Sequence, residues 1–92
     1  MKTPLVSIAM IAYNVEKYIV EAIESVLVQK TNFKYELVIG EDCSTDNTLQ
    51  MVLDYQKKFP ETIRVLTREK NLGLTPNSVD TQNHCSGKYI AL

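Results

Sequence analysis

Leu5 to Ala12 reads LVSIAMIA, an almost unbroken apolar run bounded by Pro4 and by Tyr13-Asn14. Such a run predicts a strand covered on both faces, as in the middle of a parallel sheet. Behind it, Val15, Tyr18, Ile19, Ala22, Ile23, Val26 and Leu27 recur at three- and four-residue steps. Only one stripe of a helix gathers those positions. Asn14 stands where an N-cap belongs, since its side-chain oxygen can accept an orphan backbone N–H. A polar stretch from Lys30 to Lys34 separates this helix from Tyr35 to Gly40, YELVIG, the second strand. Glu41 to Thr48 is then dense in capping and turn residues. A second helix runs through Leu49, Val52 and Leu53 and ends near Phe59-Pro60, because the residue before proline avoids the helical region. Ile63 to Thr67, IRVLT, is a third strand, and Asn71-Leu72-Gly73 a turn. Thr75-Pro76 opens a short helix with proline at the first helical position. Gly87 is placed to end that helix in a left-handed conformation, and Tyr89 to Leu92, YIAL, begins a fourth strand.

Strands alternating with helices predict an α/β fold: three layers around a mainly parallel sheet, joined by right-handed βαβ crossovers. No internal repeat, low-complexity segment or interdomain linker interrupts the 92 residues. Ten Lys and Arg stand against 11 Asp and Glu, with no basic stripe, which argues against a nucleic-acid partner. No apolar run approaches the roughly 20 residues of a membrane span. The start, Met1-Lys2-Thr3-Pro4, carries no secretory signature. Cys43 and Cys85 lack metal or redox spacing, so reduced thiols in a cytoplasmic protein are expected.

In open α/β sheets, ligands bind beyond the carboxyl ends of the strands, where strand order reverses. That rule selects Ala12-Tyr13-Asn14 after the first strand and Glu41-Asp42-Cys43-Ser44 after the second. Tyr13 offers an aromatic face and Asp42 a carboxylate, and together they can grip a flat, hydrogen-bonding ring such as a nucleobase. The plainer reading of Asp42, Ser44 and Asp46 is helix capping, and that of Tyr13 is packing. Both readings can hold at once, with Asp46 or Ser44 capping while Asp42 faces a ligand. No glycine-rich phosphate loop follows the first strand, which removes the dinucleotide fingerprint and the P-loop. His84, the single histidine, has no Cys or acid at ligand spacing and reads as a surface residue. Ser7 and Ser78 lack a nucleophile-elbow context, and Lys88 reads as solvated.

The stretches VSIAMIAYNVEKYIVEAIESVLVQ, LVIGEDCSTDNT, NLG and GKYIAL, in that order and at those separations, resemble the family 2 glycosyltransferases, inverting enzymes of the GT-A fold. The resemblance covers nearly the whole chain. It implies that Ala12 and Tyr13 lie against the nucleobase of a sugar nucleotide, with Glu16 nearby. It implies that Asp42 accepts from the imide N–H of the base, and that Asn71 and Gly73 turn near the outer edge of the nucleotide. Glu41 stands where the family commonly has Asp, Ala12 where it often has Pro, and Cys43 where it often has Gly. A residue with a Cβ at position 43 is expected to keep that turn from using a free positive φ. Ser78-Val79 replaces a frequent Arg-Asn pair, and Asn77 is a substitute polar residue of the third helix.

The family's metal-binding acidic motif follows a strand like GKYIAL, so it is expected just after Leu92, together with the general base further on. The resemblance therefore implies an N-terminal nucleotide-binding part, inactive alone. The whole enzyme would use a divalent metal, Mg²⁺ or Mn²⁺, to neutralise the leaving diphosphate. Its partners would be a nucleotide-sugar donor, with a UDP-sugar favoured, and a glycan or lipid-linked acceptor. Its expected location is the cytoplasm, at the inner membrane face if other regions tether it. Two rivals remain from the residues: a noncatalytic sugar-nucleotide-fold module, and a response-regulator-like domain. The second needs an acid pair after the first strand, where this chain has Ala12-Tyr13-Asn14. An uncovered apolar edge at the fourth strand predicts self-association.

Overall fold

The computed structural model describes residues 4–29 and 33–91. Among them, β1 (Val6–Ala12), α1 (Ile19–Leu27), β2 (Tyr35–Glu41), α2 (Thr48–Lys58), β3 (Ile63–Thr67), α3 (Leu74–Asn83) and β4 (Tyr89–Ala91) follow one another as the periodicity requires. The expected extension of the last strand to Leu92, and the start of the polar stretch at Lys30, lie outside the described residues.

The strands form one sheet in the order β3-β2-β1-β4, every neighbouring pair parallel. Strand order thus reverses at β1, as in the first half of a doubly wound nucleotide-binding sheet. A response regulator would place its third strand beside the first; here β3 lies outside β2, and that rival fails on topology. The longest pairing joins β1 to β2 over seven positions, from Val6 opposite Tyr35 to Ala12 opposite Glu41.

Alternation along the strands builds two unlike layers. Ile8, Met10, Ala12, Leu37, Ile39, Ile63 and Val65 meet Ile19 and Ile23 of α1 and Val52 of α2 in the apolar core. The opposite face, carrying Ser7 and Gly40, receives α3 through polar residues. Asn77 and Thr81 are buried there; Asn77 Nδ2 donates to the Gly40 carbonyl at 2.9 Å. A Cβ on Gly40 would lie 1.9 Å from Thr81 Oγ1 and 2.6 Å from Asn77 Oδ1, so the helix sits where only glycine lets it approach.

Three local expectations need correction. Asn14 does not cap α1: the helix begins at Ile19 after Tyr18, with no side-chain cap bond. Asn14 instead adopts a φ of 50° and turns its side chain to the neighbouring loop. A single turn precedes the helix, Ile19 N–H reaching the Val15 carbonyl at 2.9 Å, which explains why Val15 shares the stripe. Tyr18, also on that stripe, points outward and is exposed. Pro76 is not at the first helical position: α3 starts at Leu74 behind Gly73. The proline still lies in the first turn, where its missing N–H leaves no intrahelical bond unmade. Gly87 does not end α3, which stops at Asn83 with His84 as a right-handed cap. Gly87 is small for another reason, since a Cβ there would meet the Ser7 backbone nitrogen at 2.6 Å.

That contact belongs to a polar knot at the amino rim of the sheet. Glu36 Oε2 accepts from Ser7 Oγ at 2.5 Å, Ser86 N–H at 2.7 Å and Ser86 Oγ at 2.9 Å, and Oε1 faces Arg64 at 3.4 Å. Gly87 N–H closes the ring on Ser7 Oγ at 2.7 Å. Partial burial pushes the Glu36 carboxyl up, but the bonds from Ser7 and Ser86 and the charge of Arg64 outweigh it and hold it below its usual value. Cys85, close by, is a free thiol, as is Cys43 at the opposite end of β2; burial and then the Glu36 charge push Cys85 up.

Two outcomes are expected. Gly40→Ala should cost about 1–3 kcal/mol by overpacking, measured by urea unfolding, and adding Thr81→Ala should recover part of the loss by removing the nearest clash. A carboxyl lowered in the folded state contributes stability that is present above its ordinary value of 4.5 and lost as pH falls through the folded value. The urea midpoint of the unaltered chain should therefore fall more steeply below that pH than the midpoint of Glu36→Gln.

Candidate functional site

In-register parallel strands release their loops on one rim, and here β1 and β2 release theirs side by side. The loops are sewn together by side chains that the sequence suggested as helix caps. Asn14 N–H donates to Ser44 Oγ at 2.9 Å and Val15 N–H to Thr48 Oγ1 at 2.9 Å. In return Asn14 Oδ1 accepts from Thr45 N–H at 2.8 Å. Asp46 is not the N-cap of α2, which is Asn47 with no side-chain cap bond. One residue earlier, it accepts the Thr48 N–H at 2.9 Å, while its other oxygen takes the Glu16 N–H at 3.3 Å. Desolvation raises the Asp46 carboxyl, but the bonds from Thr48 and Glu16 together outweigh it and keep it below its ordinary value. Ser44 is held in turn by Glu41, whose two oxygens accept from its N–H and its hydroxyl. Glu41 is 1% exposed.

Asp42, 2% exposed, reaches the other way. Its Oδ1 accepts the Leu72 N–H at 2.6 Å and its Oδ2 the Gly73 N–H at 2.9 Å, and its carbonyl accepts from Asn71 Nδ2 at 3.0 Å. The turn before α3 is thus clamped onto the end of β2. Gly73 occupies a φ of 93°, a conformation glycine adopts freely. Cys43 takes a φ of 61°. The expectation that a residue with a Cβ would keep this turn out of the left-handed region is overturned: the bonds on either side, through Asp42 and Ser44, hold the backbone there regardless.

Between the three loops lies a cleft of about 400 Å³ lined by Ile11, Ala12, Tyr13, Val15, Asp42, Asn71, Gly73, Leu74 and Asn77, within the roughly 300–1,000 Å³ range of small-molecule sites. Five of the six residues expected there converge on it: Ala12, Tyr13, Asp42, Asn71 and Gly73. Tyr13 is 47% exposed, a ring standing at the wall rather than packed inside. Glu16 is the exception. It lines a neighbouring depression with Asn14, Lys17, Tyr18 and Asp46 and accepts from Asn47 Nδ2 at 3.2 Å, because the turn after Asn14 carries it away from the cleft.

Sequence reasoning missed Arg68. Its Nη2 donates to Asn77 Oδ1 at 3.0 Å and its Nη1 pairs with Asp80 at 2.8 Å, fixing the first turns of α3 behind the cleft wall. A charged residue directly after a strand's carboxyl end was the available signal. His84 lies at the surface, as expected, but an acid does stand within reach: its Nδ1 is 2.8 Å from the Asp80 carbonyl and 3.6 Å from the Asp80 carboxylate, four residues back. Among the described residues no three His, Cys, Asp or Glu side chains gather where they could hold a metal ion. Both oxygens of Glu41 accept from Ser44, and each oxygen of Asp42 accepts one backbone N–H, from Leu72 and Gly73.

A parallel sheet reversing at β1, with an aromatic ring and a carboxylate on its carboxyl rim, defines a doubly wound ligand-binding α/β domain. Residues 7–92 match the glycosyl transferase family 2 pattern, and the chain belongs to that family. It is 34% identical over 88 residues to the putative glycosyltransferase EpsE of Bacillus subtilis, covering 96% of this chain and 31% of that protein. Staphylococcus aureus TarS in complex with UDP-GlcNAc superposes with a TM-score of 0.75 at 34% identity, over 92% of this chain and 24% of that one. A mannosyltransferase from Pyrobaculum calidifontis in complex with GDP-Man and Mn²⁺ reaches a TM-score of 0.75 at 20% identity, over 91% of this chain and 25% of that one, which speaks to the fold alone. The fold is the GT-A type. The chain spans about a quarter to a third of the length of these proteins.

Strain at position 43 is testable. Non-glycine residues pay about 1–2 kcal/mol in the left-handed region, most of all β-branched ones. Cys43→Val should therefore unfold at a urea midpoint corresponding to about 1–2 kcal/mol less stability than Cys43→Gly.

Proposed function

We propose that this cleft is the nucleoside-binding half of a glycosyltransferase site. The whole protein transfers a sugar from a nucleotide-diphosphate donor to an acceptor hydroxyl with inversion. The observation that carries the reading is the meeting of Tyr13 and Asp42 on one cleft. The Tyr13 ring offers a face on which a base stacks. A carboxylate has about four lone-pair sites; Leu72 and Gly73 use two, and the remainder can accept the imide N–H of a uracil. Ala12, Asn71 and Gly73 complete the wall around base and ribose, while Glu16 supports the loop through Asn47 instead of touching the nucleotide. A UDP-sugar is the favoured donor, supported by the 34% identity to TarS, whose structure holds UDP-GlcNAc.

The acceptor under this reading is a glycan or lipid-linked hydroxyl, and the setting cytoplasmic. Mg²⁺ or Mn²⁺ would supply charge neutralisation at the leaving diphosphate; the described residues do not fit as its ligands, and none is given that role. Self-association through the outer strand β4 belongs to the same reading, supported by the exposure of Tyr89 and Ile90.

Calorimetric titration of UDP tests the site. Tyr13→Ala should weaken UDP by about 1–3 kcal/mol, the usual worth of a base–aromatic stack, and leave ribose 5-phosphate unchanged. Asp42→Asn, which puts an amide donor against the imide N–H, should weaken UDP as well. Equal UDP affinities in all three proteins would refute the proposal.

A further inference from the structure

Glu41 is a buried acid that faces away from the cleft. An acid kept out of water is costly unless hydrogen bonds hold it, and an apolar side chain would extend the neighbouring core more simply. Its bonds explain its place. Both oxygens accept from Ser44, one from the backbone N–H at 3.1 Å and one from the hydroxyl. With its hydrogen directed at Glu41, Ser44 Oγ has lone pairs left for one incoming donor, and that donor is the Asn14 N–H at 2.9 Å. Asn14 immediately follows Tyr13 and holds a φ of 50°, a conformation that asparagine tolerates better than most residues. Its side chain is tied in the same direction, accepting from Thr45 N–H at 2.8 Å and Thr45 Oγ1 at 3.3 Å.

The consequence is a relay from one strand end to the other. Glu41 orients the Ser44 hydroxyl, the hydroxyl holds the Asn14 amide, and the left-handed turn at Asn14 sets the direction in which the Tyr13 ring leaves the sheet. We propose that Glu41, acting through Ser44, is a positioning residue for the Tyr13 ring and hence for base recognition, resting on the nucleoside-binding reading of the cleft. Glu41 touches no ligand itself. Asp42, one residue on, points to the opposite side and anchors the Leu72-Gly73 turn, so the adjacent acids divide the work of shaping two walls of one cleft.

The test is a double-mutant cycle in the full chain, read by UDP titration with ribose 5-phosphate as the base-free probe. Glu41→Gln and Ser44→Ala should each weaken UDP by about fivefold, the order expected for losing one ordinary hydrogen bond, and leave ribose 5-phosphate within twofold. Ser44→Thr keeps the hydroxyl and should restore UDP binding. In a Tyr13→Ala background, Glu41→Gln and Ser44→Ala should have no further effect, because the ring they position is gone. A role in stability alone would lower the melting temperature and weaken both probes alike, with or without the ring; that result overturns the proposal, as does unchanged UDP affinity in Glu41→Gln and Ser44→Ala. If Glu41→Gln does not fold, the Ser44→Ala and Ser44→Thr arms decide by the same criteria. A Tyr13→Ala variant that binds UDP as the unaltered chain does overturns the nucleoside reading itself, and this inference with it. Loss in Tyr13→Ala without loss in the relay variants overturns the inference only.

Discussion

Parallel strands that end in register must open their loops on the same rim. β1 and β2 end with Ala12 opposite Glu41, and every feature of the cleft follows from that pairing. Because the strand ends are adjacent, Ser44 and Thr48 can receive amides from the loop after β1 without either loop extending far. Because Asp42 continues past the rim, it can reach the turn before α3. Short polar side chains then accomplish what longer loops would need packing to achieve.

The two faces of the sheet obey different rules. Against α1 and α2 the contact is apolar and tolerant of modest change in shape, as hydrophobic cores generally are. Against α3 it is narrow and directional: a glycine, an asparagine amide, a threonine hydroxyl and a guanidinium whose Nε is buried without a partner among the described residues. Directional contacts fix a helix more finely than apolar ones but leave each member dependent on the others. That suits a helix whose first turn, with Leu74 and Asn77, forms part of a binding wall.

How much of this could be read from the sequence depends on the range of the interaction concerned. The strands and the helical stripes were legible because hydrophobic periodicity is a local signal, and α2 ends at Lys58 just before Phe59-Pro60 as the proline demands. Tyr13 and Asp42 were legible because their loops follow consecutive parallel strands, so topology alone brings them together. Asn14 and Gly87 were misread for a common reason. Both have short-range explanations, a cap and a helix stop, and both are in fact chosen by partners about 31 and 80 residues away, Thr45 and Ser7. Cys43 was misjudged because intrinsic preference was weighed without the bonds that flank it. Arg68 was signalled only by its place directly after β3, and Glu36 escaped notice because nothing in the neighbouring sequence announces its partners Ser7 and Ser86.

The division of the sheet into two rims has an evolutionary consequence. Among the described residues, Val28, Gln29, Phe33 and Lys34 after α1 and the connection 59–62 after α2 lie toward the amino rim and contribute no wall to the cleft lined by Tyr13 and Asp42. Insertions and deletions there would accumulate with little functional cost. On the carboxyl rim, a single residue added between Ala12 and Val15 would throw the interloop hydrogen bonds of Asn14, Val15 and Glu16 out of step at once. Length variation among descendants of this sequence should therefore be lopsided, plentiful at one end of the strands and nearly forbidden at the other.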